Sequence, residues 1–294
     1  MKGYTATFKS ELKVRKASLK EFWRRYRKNK AAVLGLGIVT FFGILAIFAP
    51  LISPYSPWQT GFKQFSPPSW QHPMGTDDLG RDIFSQILWG ARLSLFVGLL
   101  AAATSSLIGT LIGAVSGYCG GRIDDLLMRI TELFMIIPQL ILLMVLIALF
   151  GTQNVWQLIL VIGGLSWPST ARLVRAEVIS LKERPFVEAV VSLGAGHKRI
   201  IFSEILPNAL APIIVNASLQ VGNAIIVEAG LSFLGLGIPD VISWGYILNR
   251  ARRYIQYGWH MSFFPGLVIF LTVLGLNLIG DGLNDALNPR LKER

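Results

Sequence analysis

Glu188, Ala189 and Gly194, with Leu206 and Pro207 further on, form the most patterned polar stretch of this 294-residue chain. The segment offers one small-residue face at Ala189 and one carboxylate at Glu188. Pro185 suits a first helical position and Gly194 a helix end with φ > 0, so their spacing predicts a short helix between them. A second short run from His197 to Leu206 follows, and Pro207 is expected to stop it. A further set of polar groups lies inside an apolar run. On a helix of about 100° per residue, Asn216, Gln220 and Asn223 fall within about 60° of one another. Polar groups in lipid face the protein interior or a water-filled cavity, so this stripe either packs helices or lines a substrate path. Glu228 points roughly 120° away from Asn216 on the same helix. As an intramembrane carboxylate it is a functional candidate or one half of an ion pair.

Other chemistries find less support. Asp77, Asp78 and Asp82 lie close together, but a capped helix start explains them better than a metal site, since Asp is a good N-cap. His72, His197 and His260 are scattered without ligand spacing. Cys119 is the only cysteine, which excludes intrachain disulfides and cysteine-based metal clusters. No metal site and no catalytic residue is assigned. The chain has no Gly-x-x-x-x-Gly-Lys-Ser/Thr loop, so energy for any driven process must come from elsewhere.

The elements that must position these residues are membrane helices. Hydrophobic residues make up 52% of the chain and charged ones only 15%, where a soluble domain carries nearer 25%. Apolar runs near Ala31–Ile52, Leu93–Tyr118, Leu133–Gly151, Val155–Ala171, Pro212–Gly237 and Met261–Gly280 approach the roughly 20 residues one lipid span needs. The fold class is therefore an all-α polytopic membrane protein with six spans, the fourth the weakest because it is short and interrupted by Pro168. Ala101, Ser105, Gly109, Gly113 and Gly117 place a small residue at every fourth position of the second run, a packing stripe for a helix the sequence does not identify.

Six spans put both termini on one side, and that side collects 22 of the 28 Lys and Arg residues. Both termini, and the loop carrying Glu188, are thus expected in the cytoplasm. The net charge of +11 sits mainly in residues 1–30, where Arg24, Arg25, Arg27, Lys28 and Lys30 suit anionic lipid rather than nucleic acid. The first apolar run is longer than a signal-peptide core and follows a long basic segment, so it reads as an uncleaved anchor. The organisation is a cytoplasmic basic segment at 1–30, a first span at 31–52, an external loop at 53–92, and a five-helix core at 93–290 with the polar loop at about 180–207.

The Glu188-Ala189, Gly194 and Leu206-Pro207 spacing resembles the EAA loop of ABC-importer permeases, with Val190 in place of the second Ala and Glu204 in place of an Ile. Residues 23–38 look like the amino-terminal entry of dipeptide/oligopeptide permeases. The segment from His72 to Asp82 running on to Leu95, and that from Glu228 to Gly237 with Trp244-Gly245, are similar to the same group. The chain is identified as a member of the dipeptide/oligopeptide/nickel importer family, second permease subunit. The resemblance implies a type I importer permease fold in a prokaryotic plasma membrane and a heterodimer with a homologous permease subunit. It also implies two cytoplasmic ATPase subunits carrying ATP and Mg, and an external binding protein that delivers di- or oligopeptides. This chain itself would bind no cofactor and hydrolyse no ATP. Nickel chelates or oligosaccharides are alternative cargoes within the class. From another class, an ion-coupled secondary transporter would have only Glu228 as a relay residue and would leave the EAA-like loop unexplained.

Overall fold

Helix ends in this chain are set by where Asp, Asn, Pro and Gly fall between long apolar runs. The structure, a computed structural model, describes residues 20–151 and 154–287. Residues 1–19 of the basic segment, and Arg290, Lys292 and Arg294, lie outside the described residues. Asn29 caps α1 (Lys30–Ile47) by accepting from the Ala32 amide, and one helical turn at Ala49–Ile52 follows. Asp82 caps α2 (Ile83–Cys119), which Gly120 ends at φ 65°. Next come α3 (Gly121–Ile136), α4 (Gln139–Phe150) and α5 (Val155–Lys182), the last capped by Asn154. The short α6 (Pro185–Ser192) leads into α7 (His197–Phe233), then α8 (Trp244–Ala251) and α9 (Trp259–Leu287). Among the described residues the only β-type pairing is an isolated bridge between Thr76 and Asp82.

Helices α1, α2, α7 and α9 are long and apolar enough to cross a membrane, and the bent pair α3–α4 would make a fifth crossing. The third and fourth of the six expected runs depart most from expectation. The third, expected as one helix over Leu133–Gly151, is broken by an 85° bend. Pro138 lacks an N–H and disfavours the α region for its predecessor, and Ile137 is accordingly extended at φ −81°, ψ 126°. The fourth is helical but runs on to Lys182, through Pro168. Its polar stretch Ser166–Thr170, together with Arg172, dilutes the apolar character a lone span needs. The second helix also begins earlier than the sequence suggests, so the outer loop closes at Asp82 rather than near residue 92.

The small-residue stripe of α2 packs on α5. A Cβ at Gly109 would lie 2.6 Å from Thr170 Cβ, one at Gly113 2.9 Å from Val174 Cβ, and one at Gly117 2.8 Å from the Arg175 carbonyl. Residue numbers rise together along both helices, so they run parallel, with the α3–α4 pair as the return leg. From the α5 side, a Cβ on Gly163 would come within 2.8 Å of the Ala101 carbonyl. With little hydrophobic drive between helices in lipid, such close backbone approach supplies the van der Waals contact that holds them. A second close crossing joins α1 to α9, where a Cβ on Gly35 would lie 2.6 Å from the Gly275 carbonyl.

Candidate functional site

The polar loop folds as a short helix stitched to the bundle at both ends. Pro185 occupies the first turn of α6, and Val187 is buried in a cluster with Val174, Val178, Ile200, Ile201 and Ile205. Beyond the helix, the Gly194 amide donates to the Val191 carbonyl at 2.9 Å and the Ala195 amide to the Val190 carbonyl at 3.3 Å. With Gly194 at φ 80°, this is the paired bonding of a Schellman ending. Glu188 and Ala189 face solvent, as do Phe186, Val191 and Leu193, the last 87% exposed. Val190, which replaces the second Ala of the resembled pattern, instead packs against the buried cluster. Its extra methyls are met by this chain.

Pro207 does not stop the second run, contrary to expectation. Residues Ile200–Ile205 form a π-helical turn, and Pro207 falls in the first turn of the helix that continues to Phe233. A wide turn just ahead of a proline removes the demand for its missing N–H and relieves the clash with the preceding carbonyl. Leu206 packs on the same buried cluster as Val187, while Pro207 is exposed. Tyr118, at the end of α2, fastens the whole loop. The Lys182 ammonium donates to its carbonyl at 2.7 Å and sits 5.3 Å from its ring, and its hydroxyl meets His197 Nδ1 at 3.0 Å. Between these groups and α6 lies a cavity of about 800 Å³. A bidentate pair at 2.6 and 2.5 Å from Arg175 to Asp124 ties α5 to the start of α3.

The polar stripe of α7 turns toward α5. Asn216 donates to Thr170 Oγ1 at 2.9 Å, and Gln220 to Ser169 Oγ at 2.8 Å. Asn223 is exposed. With Gln220 it lines a cleft of about 240 Å³, shared with Gln139, Ser166, Ser169 and the Ile137–Pro138 break. Gln139 donates to Ser166 Oγ at 2.7 Å. The α3–α4 bend thus exposes a polar seam of α5 to the same space. Glu228 is elsewhere. It is fully buried, accepts from Ser94 Oγ at 3.0 Å and Ser232 Oγ at 2.7 Å, and also bonds Ser243. No cation reaches it among the described residues, so neither an ion pair nor a place in the cleft describes it. Ser94 also accepts from the Trp244 amide at 3.3 Å, so Glu228 seats the start of α8 on α2.

The outer aspartates have separate partners. Asp82 accepts from Ser85 at 2.7 Å and meets His72 Nδ1 at 3.0 Å, while Asp77 accepts from Arg81 Nε at 2.7 Å and Gln86 at 3.0 Å. Asp78 pairs with Arg250 at 2.6 Å. Burial works against the Arg250 guanidinium, but the bonds to Asp78 and Tyr246 outweigh it and hold its pKa above the ordinary value. Among the described residues no group of three or more His, Cys, Asp or Glu is placed to hold a metal ion. His72 and His260 serve as struts, the latter contacting the Thr76 carbonyl at 3.1 Å.

Sequence reasoning missed Tyr118, Lys182 and His197 as clasps, Ser166, Ser169 and Thr170 as cleft groups, and Ser94, Ser232 and Ser243 around Glu228. The polar break Ser-Trp-Pro-Ser-Thr at 166–170 was the available signal for the cleft. Ser232, four residues after Glu228, was the signal for the buried cage.

An exposed, proline-started helix thus joins α5 to α7, and the same two helices share the polar cleft. Residues 109–293 match the family of binding-protein-dependent transport system inner membrane components, and residues 18–68 match the N-terminal TM domain of oligopeptide transport permease C. The chain belongs to this permease family and is a multi-pass protein of the prokaryotic plasma membrane. It is 44% identical over 275 residues to the dipeptide transport system permease protein DppC of Alkalihalophilus pseudofirmus, covering 93% of this chain and 90% of the relative. To the oligopeptide transport system permease protein OppC of Bacillus subtilis it is 40% identical over 286 residues, covering 96% and 93%. The di/tripeptide permease DppC of Pseudomonas aeruginosa is 41% identical over 283 residues, with 93% of each covered.

Proposed function

We propose that this chain is one of two homologous permease subunits of an ATP-driven importer for di- and oligopeptides. An external binding protein delivers the peptide, and the path lies between the two subunits. Six helical legs cross the membrane, counting α3–α4 as one and α5 as another. The polar Ser166–Thr170 stretch of α5 is tolerable in lipid because Asn216, Gln220 and Gln139 satisfy it from neighbouring helices. Both termini and α6 face the cytoplasm, in keeping with the 22 of 28 Lys and Arg residues on that side.

Two ATPase subunits, holding ATP and Mg, dock on α6 here and on its counterpart. Glu188 offers charge to an arginine, Ala189 allows close contact, Gly194 fixes the exit angle, and Leu206 and Pro207 hold the following helix. Asn216, Gln220 and Asn223 line the path, and Gly109, Gly113 and Gly117 keep α2 and α5 moving as one body. What carries this reading is α6 itself: it is anchored inward only by Val187 and Val190 and presents Glu188, Ala189 and Leu193 outward.

Glu188→Lys tests it, because the exposed side chain makes no contact the fold depends on. The variant should reach the membrane at wild-type level and lose co-purifying ATPase subunits or peptide-stimulated ATP hydrolysis, beside Lys63→Gln as control. Full coupling in the variant would remove α6 as the docking site.

A further inference from the structure

At the end of the molecule opposite α6, α2, the start of α5 and the segment before α8 border an open cavity of about 430 Å³. Its walls include Trp58, Trp89, Arg92, Phe96, Asp240 and Val241. The two charges here have no counter-ion among the described residues. Arg92 is exposed and stacks 5.3 Å over Trp89, and among the described residues neither its guanidinium nor the Asp240 carboxylate makes a hydrogen bond or ion pair. A cation and an anion over aromatic walls suit a ligand that carries both charges.

Arg92 stands at the head of an exposed and wholly apolar stripe of α2: Phe96, Leu99, Ala103, Leu107 and Leu111. This stripe is distinct from the Gly109–Gly113–Gly117 face that meets α5, and from the Gln220–Asn223 cleft. A hydrocarbon core of about 30 Å takes roughly 20 residues of helix. Measured from Gly117, such a span reaches the level of Val97. Arg92 lies about 8 Å beyond it at 1.5 Å per residue, the depth of lipid headgroups. Trp58, Trp89 and Trp156 crowd the same level, as aromatic residues do at membrane interfaces.

We propose that this cavity is a binding site for a phospholipid with an ammonium-bearing headgroup of the phosphoethanolamine type. Arg92 holds the phosphate, Asp240 accepts from the primary ammonium, and the acyl chains lie along Phe96, Leu99 and Ala103. The apolar track below Arg92 is what favours a lipid over a peptide, which would share the same two charges but have no use for the stripe. Placement in the outer leaflet rests on the orientation proposed above. Occupancy of the site does not, so the two can fail separately.

The test is native mass spectrometry of the assembled transporter released from nanodiscs of equal phosphatidylethanolamine, phosphatidylcholine and phosphatidylglycerol. The wild type should retain phosphatidylethanolamine roughly tenfold over phosphatidylcholine, whose trimethylated amine cannot donate to Asp240. Asp240→Asn should bring that ratio near one, while Arg92→Gln and the cavity-filling Val241→Trp should lower retention of both lipids, all with subunit stoichiometry unchanged. Equal retention of the two lipids by the wild type would overturn the proposal. So would an unchanged ratio in Asp240→Asn, unchanged lipid retention in Arg92→Gln and Val241→Trp, or displacement of the retained lipid by a dipeptide.

Discussion

Gly194 is where one backbone angle decides an interface. Its φ of 80° lies in a region that side-chain-bearing residues enter at a cost of about 1–2 kcal/mol, and a β-branched residue fits it worse. Gly194→Val should therefore misaim the chain leaving α6 while the membrane helices still insert. The expected result is a normal yield of membrane-embedded chain with reduced co-purification of ATPase subunits, read as stoichiometry on a purified complex. Gln220 poses a different question at the same scale. It donates to Ser169 beside the cleft, and interhelical hydrogen bonds within a bilayer average only about 0.6 kcal/mol. Gln220→Leu should then leave assembly nearly intact while lowering peptide uptake per mole of complex in proteoliposomes. A fall in assembled yield with normal specific uptake would assign Gln220 to packing alone.

At the scale of elements, the firmest contact is between α2 and α5. Gly113 lies under the Ala171 carbonyl, with Val174 Cβ 2.9 Å from where its own Cβ would stand. Gly113→Leu must spread the two helices, and overpacking of this kind typically costs about 1–3 kcal/mol. The variant should show a lower thermal midpoint of the purified complex and greater protease sensitivity near the Gly120–Gly121 turn, where α3 departs. Gly37, which meets nothing within 4 Å, provides the control: Gly37→Leu should leave both readouts unchanged. The break at Ile137–Pro138 and the π turn at Ile200–Ile205 show how differently two prolines act. Pro138 turns the chain by 85° with an extended Ile137 ahead of it, whereas Pro207 continues a helix because the turn ahead of it widens.

For the whole molecule, the decisive prediction is topology. In a Cys119→Ser background, cysteine at Ser192 on α6 and cysteine at Gln71 in the outer loop occupy exposed positions at opposite ends of the bundle. An impermeant thiol reagent applied to intact cells should label position 71 and spare position 192 until the membrane is opened. Labelling of 192 from outside would reverse the orientation and separate α6 from any ATP-using partner.

Much of this architecture was legible without coordinates because its causes are local. Apolar runs place α1, α2, α7 and α9, Asp82 caps α2, and Pro185 and Gly194 bracket α6, since each effect acts within a few residues of its source. The charge asymmetry is likewise a property of residue order. What only the tertiary structure decided involves groups far apart in the chain. Asn216 and Gln220 found their partners on α5, the α2 stripe found the same helix, and Glu228 found serines from α2 and the approach to α8. Glu228 is the clearest case. On its own helix it looks like an intramembrane charge awaiting a relay or a counter-ion, and burial without partners would be prohibitive. Ser94 and Ser243, brought by the fold to join Ser232 on the same helix, give the buried carboxyl its hydrogen-bond partners. Helical periodicity states which direction a side chain points, but the identity of the neighbour it meets depends on how the helices pack.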